Sequence, residues 1–270
     1  MSSPLIPTVA AIIAIGVGAK VLSDRFQVPS VVFLILAGIV LGPEVLGLVD
    51  PASFGGALSA IVGLSVAIIV FEGAFHLKID KLREAPGEVF RLVTIGAIVA
   101  LLGTAIAVRF LVGSPWDVAF LVGSLLVATG PTVITPILEI VPVRDRVGVA
   151  LETEGVVNDV TAAILAIGMF EVVINPGLGA TAIVRDFASR LGIGIASGVL
   201  VAAVVWYVLR HVDLSARGAV QNARLVVLAS ALVSYSIADV LASEAGIAAV
   251  ATAGILLGNA DLPYEEEIES

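Results

Sequence analysis

Cysteine is absent from the 270 residues. Disulfides, thiolate metal ligation and thiol redox chemistry are therefore excluded. Histidine occurs only as His76 and His211, both near the ends of apolar segments, which makes a structural zinc site a poor reading. Charge is scarce: 14% of the residues are Asp, Glu, Lys or Arg, against about 25% in an ordinary soluble domain. The 23 acidic residues outnumber the 14 basic ones and give a net charge of −9, which argues against a nucleic-acid partner. Much of that acidity is local, since Asp261, Glu265, Glu266, Glu267 and Glu269 all fall in the last ten residues.

What fills the chain instead is apolar. Hydrophobic residues make up 59% and the mean hydropathy is +1.12. They come in runs of about 17–25 residues, the length that spans a bilayer as a helix. The expected fold is all-α: a polytopic transmembrane helical bundle forming a single transmembrane domain over residues 1–270, with no soluble domain. The first run, Leu5 to Leu22, has no basic residue before it and no small-residue cleavage site, so it reads as a retained helix rather than a signal peptide.

Nine spans are expected, at about 5–22, 31–49, 57–77, 90–112, 117–141, 147–174, 182–209, 220–241 and 245–259. With the N-terminus outside, the inner loops hold Lys20, Arg25, Lys78, Lys81, Arg83, Arg91, Arg144, Arg146, Arg210, Arg217 and Arg224, which is 11 of the 14 basic residues. Arg109, Arg185 and Arg190 are left outside. Cytoplasmic loops carry the excess of Lys and Arg, so this alternation predicts a multi-pass protein of the cell membrane with its C-terminus cytoplasmic.

Several spans carry local signals. Gly16 and Gly18 in span one would allow close helix packing. Pro29 suits the start of span two and Gly42-Pro43 its end. Glu72 lies near the inner end of span three, either as a snorkelling or helix-paired carboxylate or as an acid lining a cavity. Arg109 reads as snorkelling, Trp116 and Trp206 as interfacial, and Asp239 as an acid near the outer end of its span. Span nine is the weakest, being short and holding Gly246, Gly254 and Gly258.

The stretch Ala128 to Ile164 stands apart. Thr129-Gly130-Pro131, and again Pro136, break the apolar helix of span five. A backbone break at membrane depth persists only inside protein or beside a wet cavity. The freed half-helix ends expose carbonyls and N–H groups of opposite dipole, and Thr129 and Thr132 add hydroxyl oxygens, the hard ligands a small cation prefers. A proline kink in a packing helix is the plainer alternative. After the basic turn Val143 to Arg146, span six carries Glu152, Glu154, Asn158 and Asp159. Glu154 and Asn158 are four apart and share a helix face, where they can hydrogen-bond. Asp159 comes roughly 18 Å along the helix, near mid-bilayer. A carboxylate there is poorly solvated and is satisfied by holding either a proton or a cation. Competition of two ions for one carboxylate is the least that exchange requires. The alternative is an Asp paired permanently with a basic group, but no Lys or Arg in the nine spans sits at matching depth.

The E-G-V-V-N-D run of span six resembles the Glu-Ser-x-x-Asn-Asp stretch of monovalent cation:proton antiporters of the NhaP type. TGPTVITPIL resembles that family's unwound helix, and LAGIVLGP and FEGAFHL resemble its early helices. The resemblance covers the whole chain. It implies an inverted-repeat antiporter fold with a broken helix near Thr129-Pro131. It implies that Asp159 is the ion- and proton-binding carboxylate, with Thr129 lending oxygen to the monovalent cation. Asn158 would be the neutral partner of the electroneutral branch, holding Glu154. Gly130, Pro131, Thr132, Glu152 and Glu72 are the supporting candidates. The implied protein is a homodimer in the lipid bilayer with no cofactor and no catalytic residue, transporting Na+ (or Li+ or K+) and H+. Gly130 and Gly155 stand where many members carry an acid and a serine, which leaves the choice of cation open.

Length is a further departure. The family is usually built of about 13 helices, and its second broken helix lies in the C-terminal third. The expectation is of a C-terminally truncated member, lacking half of the ion-handling core and any C-terminal regulatory domain, and unable to transport by itself. An intramembrane aspartyl protease would require Gly-x-Gly-Asp and Tyr-Asp, which do not occur. A cation channel and a non-transporting membrane scaffold remain as alternatives.

Overall fold

The computed structural model describes the chain except for residues 1–4, 27, 29, 83–85, 130–133, 135, 136, 139, 140, 142, 176, 178, 212–218 and 263–270. Every element among the described residues is helical. Five helices there are long and apolar enough to cross a membrane: Ala57–Phe75, Val89–Val112, Asp145–Ile174, Thr181–His211 and Val220–Leu241. Thr8–Ser23, Ser30–Leu41, Trp116–Leu126 and Ala245–Gly258 are shorter apolar helices. All of them fall on expected intervals, with two shortened. Span two stops at Leu41 rather than near 49. Gly42 ends the ladder with its N–H on the Gly38 carbonyl (2.9 Å), and Gly47, at φ 61, turns the chain back with its N–H on the Gly42 carbonyl (2.8 Å). Span five stops as a continuous helix at Leu126.

Two compact units are distinguished, residues 1–65 with 135–142, and residues 66–134 with 143–270. In the first, α1 (Leu5–Phe26) packs on α2 (Ser30–Leu41). Among the described residues a Cβ on Gly16 or Gly18, where close packing was allowed, would have no neighbour within 4 Å. The helix α3 (Ala57–Phe75) belongs to the first unit up to Ser65 and to the second from Val66.

The second unit continues with two short helices, α4 (Ile79–Leu82) and α5 (Pro86–Arg91), then α6 (Ala97–Ala107) between two π-turns, Leu92–Gly96 and Val108–Val112. The Arg109 guanidinium donates to the Ser114 carbonyl (2.9 Å) and lies 5.8 Å from the Trp116 ring, an amphipathic anchor at the helix end as expected. Then come α7 (Trp116–Leu126), α8 (Asp145–Ile174), α9 (Ala180–His211), α10 (Ala219–Leu241) and α11 (Ala245–Gly258).

The ninth interval, weakest for its shortness and its glycines, is the packing centre of this unit. Eleven of the 14 residues of α11 are buried. Lipid tails are as apolar as a protein core, so helices there associate through close packing and hydrogen bonds rather than hydrophobic transfer, and small residues allow the approach. A Cβ on Gly198 of α9 would lie 2.4 Å from the Ala249 carbonyl oxygen. One on Gly258 would lie 1.8 Å from the Phe75 carbonyl oxygen. The Asn259 amide then fastens α11 to the end of α3: its Nδ2 donates to the Leu77 carbonyl (2.8 Å) and its Oδ1 accepts from the Ile79 N–H (2.7 Å).

Candidate functional site

The site is built by α7, the segment after it, and α8. Gly123 seats α7 on α6, since a Cβ there would stand 2.7 Å from the Leu101 carbonyl oxygen. After Leu126 the chain leaves the helix, Val127 staying buried while Ala128 and Thr129 become exposed. Asp145 in the first turn of α8 suits the positive end of its dipole. Farther along, Val156, Val160 and Ile164 bury one stripe of α8 in the core. Glu154, Asn158 and Asp159 stand off that stripe.

Three of the expected residues meet. Thr129 Oγ1 donates to Glu154 Oε1 (2.7 Å), and Asn158 Nδ2 donates to the same oxygen (2.5 Å). The pairing expected from the four-residue spacing of Glu154 and Asn158 is present. The Thr129 contact, 25 residues away in sequence, was not legible from spacing. A carboxylate only accepts, which fixes the direction of both bonds and the orientation of the Asn158 amide. Asn158 is 2% exposed, and its Oδ1 is buried without a hydrogen-bond partner among the described residues. Because the Thr129 proton is engaged by Glu154, the lone pairs of Oγ1 point elsewhere and stay available.

Asp159 is half-buried and shares no hydrogen bond or ion pair with another side chain among the described residues. It projects about 140° from Glu154 around the helix, so the trio does not include it. Glu152 is exposed, two turns earlier on nearly the same side as Asp159. Glu72 is exposed on α3, where its backbone carbonyl accepts from His76 Nδ1 (2.8 Å). Gly130, Pro131 and Thr132 lie outside the described residues. Asp239 is a backbone cap, its Oδ1 accepting from the Glu244 N–H (2.8 Å). Among the described residues no three His, Cys, Asp or Glu side chains gather as a metal-binding group.

Arg190, counted on the outer side by the charge alternation, is 8% exposed within α9 and paired with Glu171 and Asp186. The four-residue spacing of Asp186 and Arg190 was the available signal.

The family described as "Sodium/hydrogen exchanger, transmembrane" matches residues 9–270. The chain belongs to this family, one of transporters rather than enzymes. Its relatives include the K(+)/H(+) antiporter NhaP2 of Shewanella oneidensis, 25% identical over 254 residues, covering 93% of this chain and 43% of that protein. The Na(+)/H(+) antiporter ApNhaP of Aphanothece halophytica is 26% identical over 257 residues, covering 92% and 46%. Among solved structures, the sodium proton antiporter MjNhaP1 from Methanocaldococcus jannaschii at pH 8 superposes with a TM-score of 0.72 at 23% identity, over 98% of this chain and 66% of that one. The fold is that of this antiporter, as the resemblance implied, and the protein is a multi-pass membrane protein. The chain spans about half the length of the curated relatives it matches.

Proposed function

We propose that this chain carries the carboxylate of a site that exchanges a monovalent cation, sodium first, for a proton. The observation that carries the reading is Asp159, half-buried on a membrane-spanning helix with no basic partner among the described residues. An intramembrane carboxylate without a counter-charge needs a positive ion, and both a proton and a sodium ion meet that need. Holding one or the other leaves the same charge on the site, so one cation crosses for one proton and the exchange is electroneutral.

The neighbours divide the work. Glu154 accepts from Thr129 and Asn158, so hydrogen bonds rather than an ion satisfy its Oε1. It takes the Thr129 proton as its own partner and leaves that hydroxyl oxygen free to face a cation. The Oδ1 of Asn158, buried with no hydrogen-bond partner among the described residues, is a second neutral oxygen on α8, and a buried acceptor left unmade costs about 1–3 kcal/mol. Hydroxyl and amide oxygens are hard donors suited to sodium, lithium or potassium, and the Asp159 carboxylate supplies the charge from another side of α8. The names of the relatives, which include both Na(+)/H(+) and K(+)/H(+) antiporters, support exchange and leave the cation open.

The proposal includes a single nine-span transmembrane domain, N-terminus outside and C-terminus cytoplasmic in the cell membrane, working as a homodimer. The basic residues gathered at alternate ends of the spans support the orientation. The test is cation-driven collapse of an imposed pH gradient in vesicles carrying the protein, with sodium, lithium and potassium compared. Saturable collapse supports exchange. Non-saturating flux that persists without a pH gradient would make it a channel.

A further inference from the structure

We propose that Arg190 is a positioning residue for the ion-binding helix: its guanidinium anchors the far end of α8 to α9 and to the α10–α11 turn, and so sets where Asp159 stands. All three nitrogens of the fork are used. Nη2 meets Glu171 Oε1 on α8 (2.7 Å), Nε meets Asp186 Oδ2 on its own helix (2.7 Å), and Nη1 donates to the Ser243 carbonyl in the turn (3.2 Å). A buried charge is held only where it is paired and hydrogen-bonded, and Arg190 meets that condition through partners on three segments.

The turn it grips is itself tightly specified. Glu244 adopts a left-handed backbone, φ 66, and its N–H is held by Asp239. Asp186, one helical turn before Arg190, keeps the guanidinium in place on α9. The load therefore falls on Glu171, the contact that reaches α8. Nearby, Gly168 of α8 lies within 3.5 Å, measured from an added Cβ, of Ile183 on α9, so the two helices touch at this end. The helix α8 runs unbroken from Asp145 to Ile174. Glu171 comes 12 residues after Asp159, roughly 18 Å along a stiff rod. Fixing one end of an unbroken helix fixes the position of groups along it. A lysine cannot substitute, because a single ammonium is a point donor and cannot hold two carboxylates and a carbonyl in a fork.

The clamp itself does not depend on what Asp159 binds; only its consequence for the cation rests on the proposed function. The experiment uses the cysteine-free chain in lipid nanodiscs, with spin labels on cysteines replacing the exposed Phe170 and Leu241. Label-to-label distances are measured in the parent, Arg190→Gln, Arg190→Lys and Glu171→Gln. The apparent affinity for sodium is measured alongside, from the concentration dependence of thermal stabilisation. The parent gives one narrow distance. All three variants broaden it with helical content unchanged, and their sodium affinity falls roughly 2- to 30-fold. Retention of the parent distance and affinity by Arg190→Lys or Glu171→Gln would overturn the proposal, since charge alone, or neither partner, would then matter. Broadened distances together with no sodium response even in the parent support the clamp and sink the ion-site reading.

Discussion

A single methyl group added to α9 should separate two helices. A Cβ on Gly198 would stand 2.4 Å from the Ala249 carbonyl oxygen and 2.8 Å from Thr252 Cβ, where ordinary contact begins at 3.4 Å. The nearer atom is helical backbone, so it cannot swing aside, and α9 and α11 must part by about 1 Å, the difference between 3.4 and 2.4 Å. Overpacking of this kind costs about 1–3 kcal/mol, and a backbone clash belongs at the upper end. Alanine returns roughly 0.8–1 kcal/mol as a better helix former than glycine. Gly198→Ala should therefore lose about 2 kcal/mol. Gly192 lies on the same helix with nothing within 4 Å of an added Cβ, so Gly192→Ala keeps the propensity gain without the clash. Chemical unfolding of both variants in one detergent measures the contrast, about 3 kcal/mol. Equal stability of the two would show that the α9–α11 seam is not as tight as these distances require.

The polar trio should behave as a unit. Glu154→Ala and Asn158→Ala should each lose about 1–3 kcal/mol, and the double variant less than their sum; strict additivity in thermal unfolding would separate them. Glu244 gives a pH signature. Burial, then the Asp239 charge, push its carboxyl above the ordinary value, with Arg190 partly opposing. Both folded and unfolded forms are protonated at low pH. As pH rises from the ordinary carboxylate range through the higher folded value, ionisation costs the folded state more, so stability falls across that window. Glu244→Gln should flatten this fall and be the more stable form at neutral pH; parallel melting curves for the two would contradict it. For the orientation, single cysteines replacing Ser114 and Ser243 should react with an impermeant thiol reagent from outside, and those replacing Asp80 and Arg144 only after the membrane is opened; the reverse pattern would invert the topology.

Periodic and local features were legible in the sequence, and features that depend on distant partners were not. The positions of the apolar helices follow from run length alone, and the Glu154–Asn158 bond from a four-residue spacing. The interruption after span five was visible in Thr129-Gly130-Pro131, although the helix already ends at Leu126. By contrast, Thr129 finds Glu154 only because α7 and α8 pack together. Shortness and three glycines made the helix Ala245–Gly258 a doubtful span, yet those glycines let it pack closely and bury most of its residues. The pairing of Arg190 was not legible, because the orientation rule counts basic residues without seeing what they touch. Its partners Glu171 and Ser243 lie 19 and 53 residues away. Gly16 and Gly18, with open space around them, show that small residues permit close packing without causing it.

The central claim is that one carboxylate, Asp159, holds either a proton or a cation. Proton release measures this without requiring a complete transport cycle. Sodium chloride is added to the purified protein in weakly buffered solution with a pH indicator, beside choline chloride as the ionic control. Sodium should displace protons in a saturable manner, Asp159→Asn should release none, and Glu154→Gln should retain release. Sodium-dependent proton release that is undiminished in Asp159→Asn would place the exchange elsewhere and contradict the account.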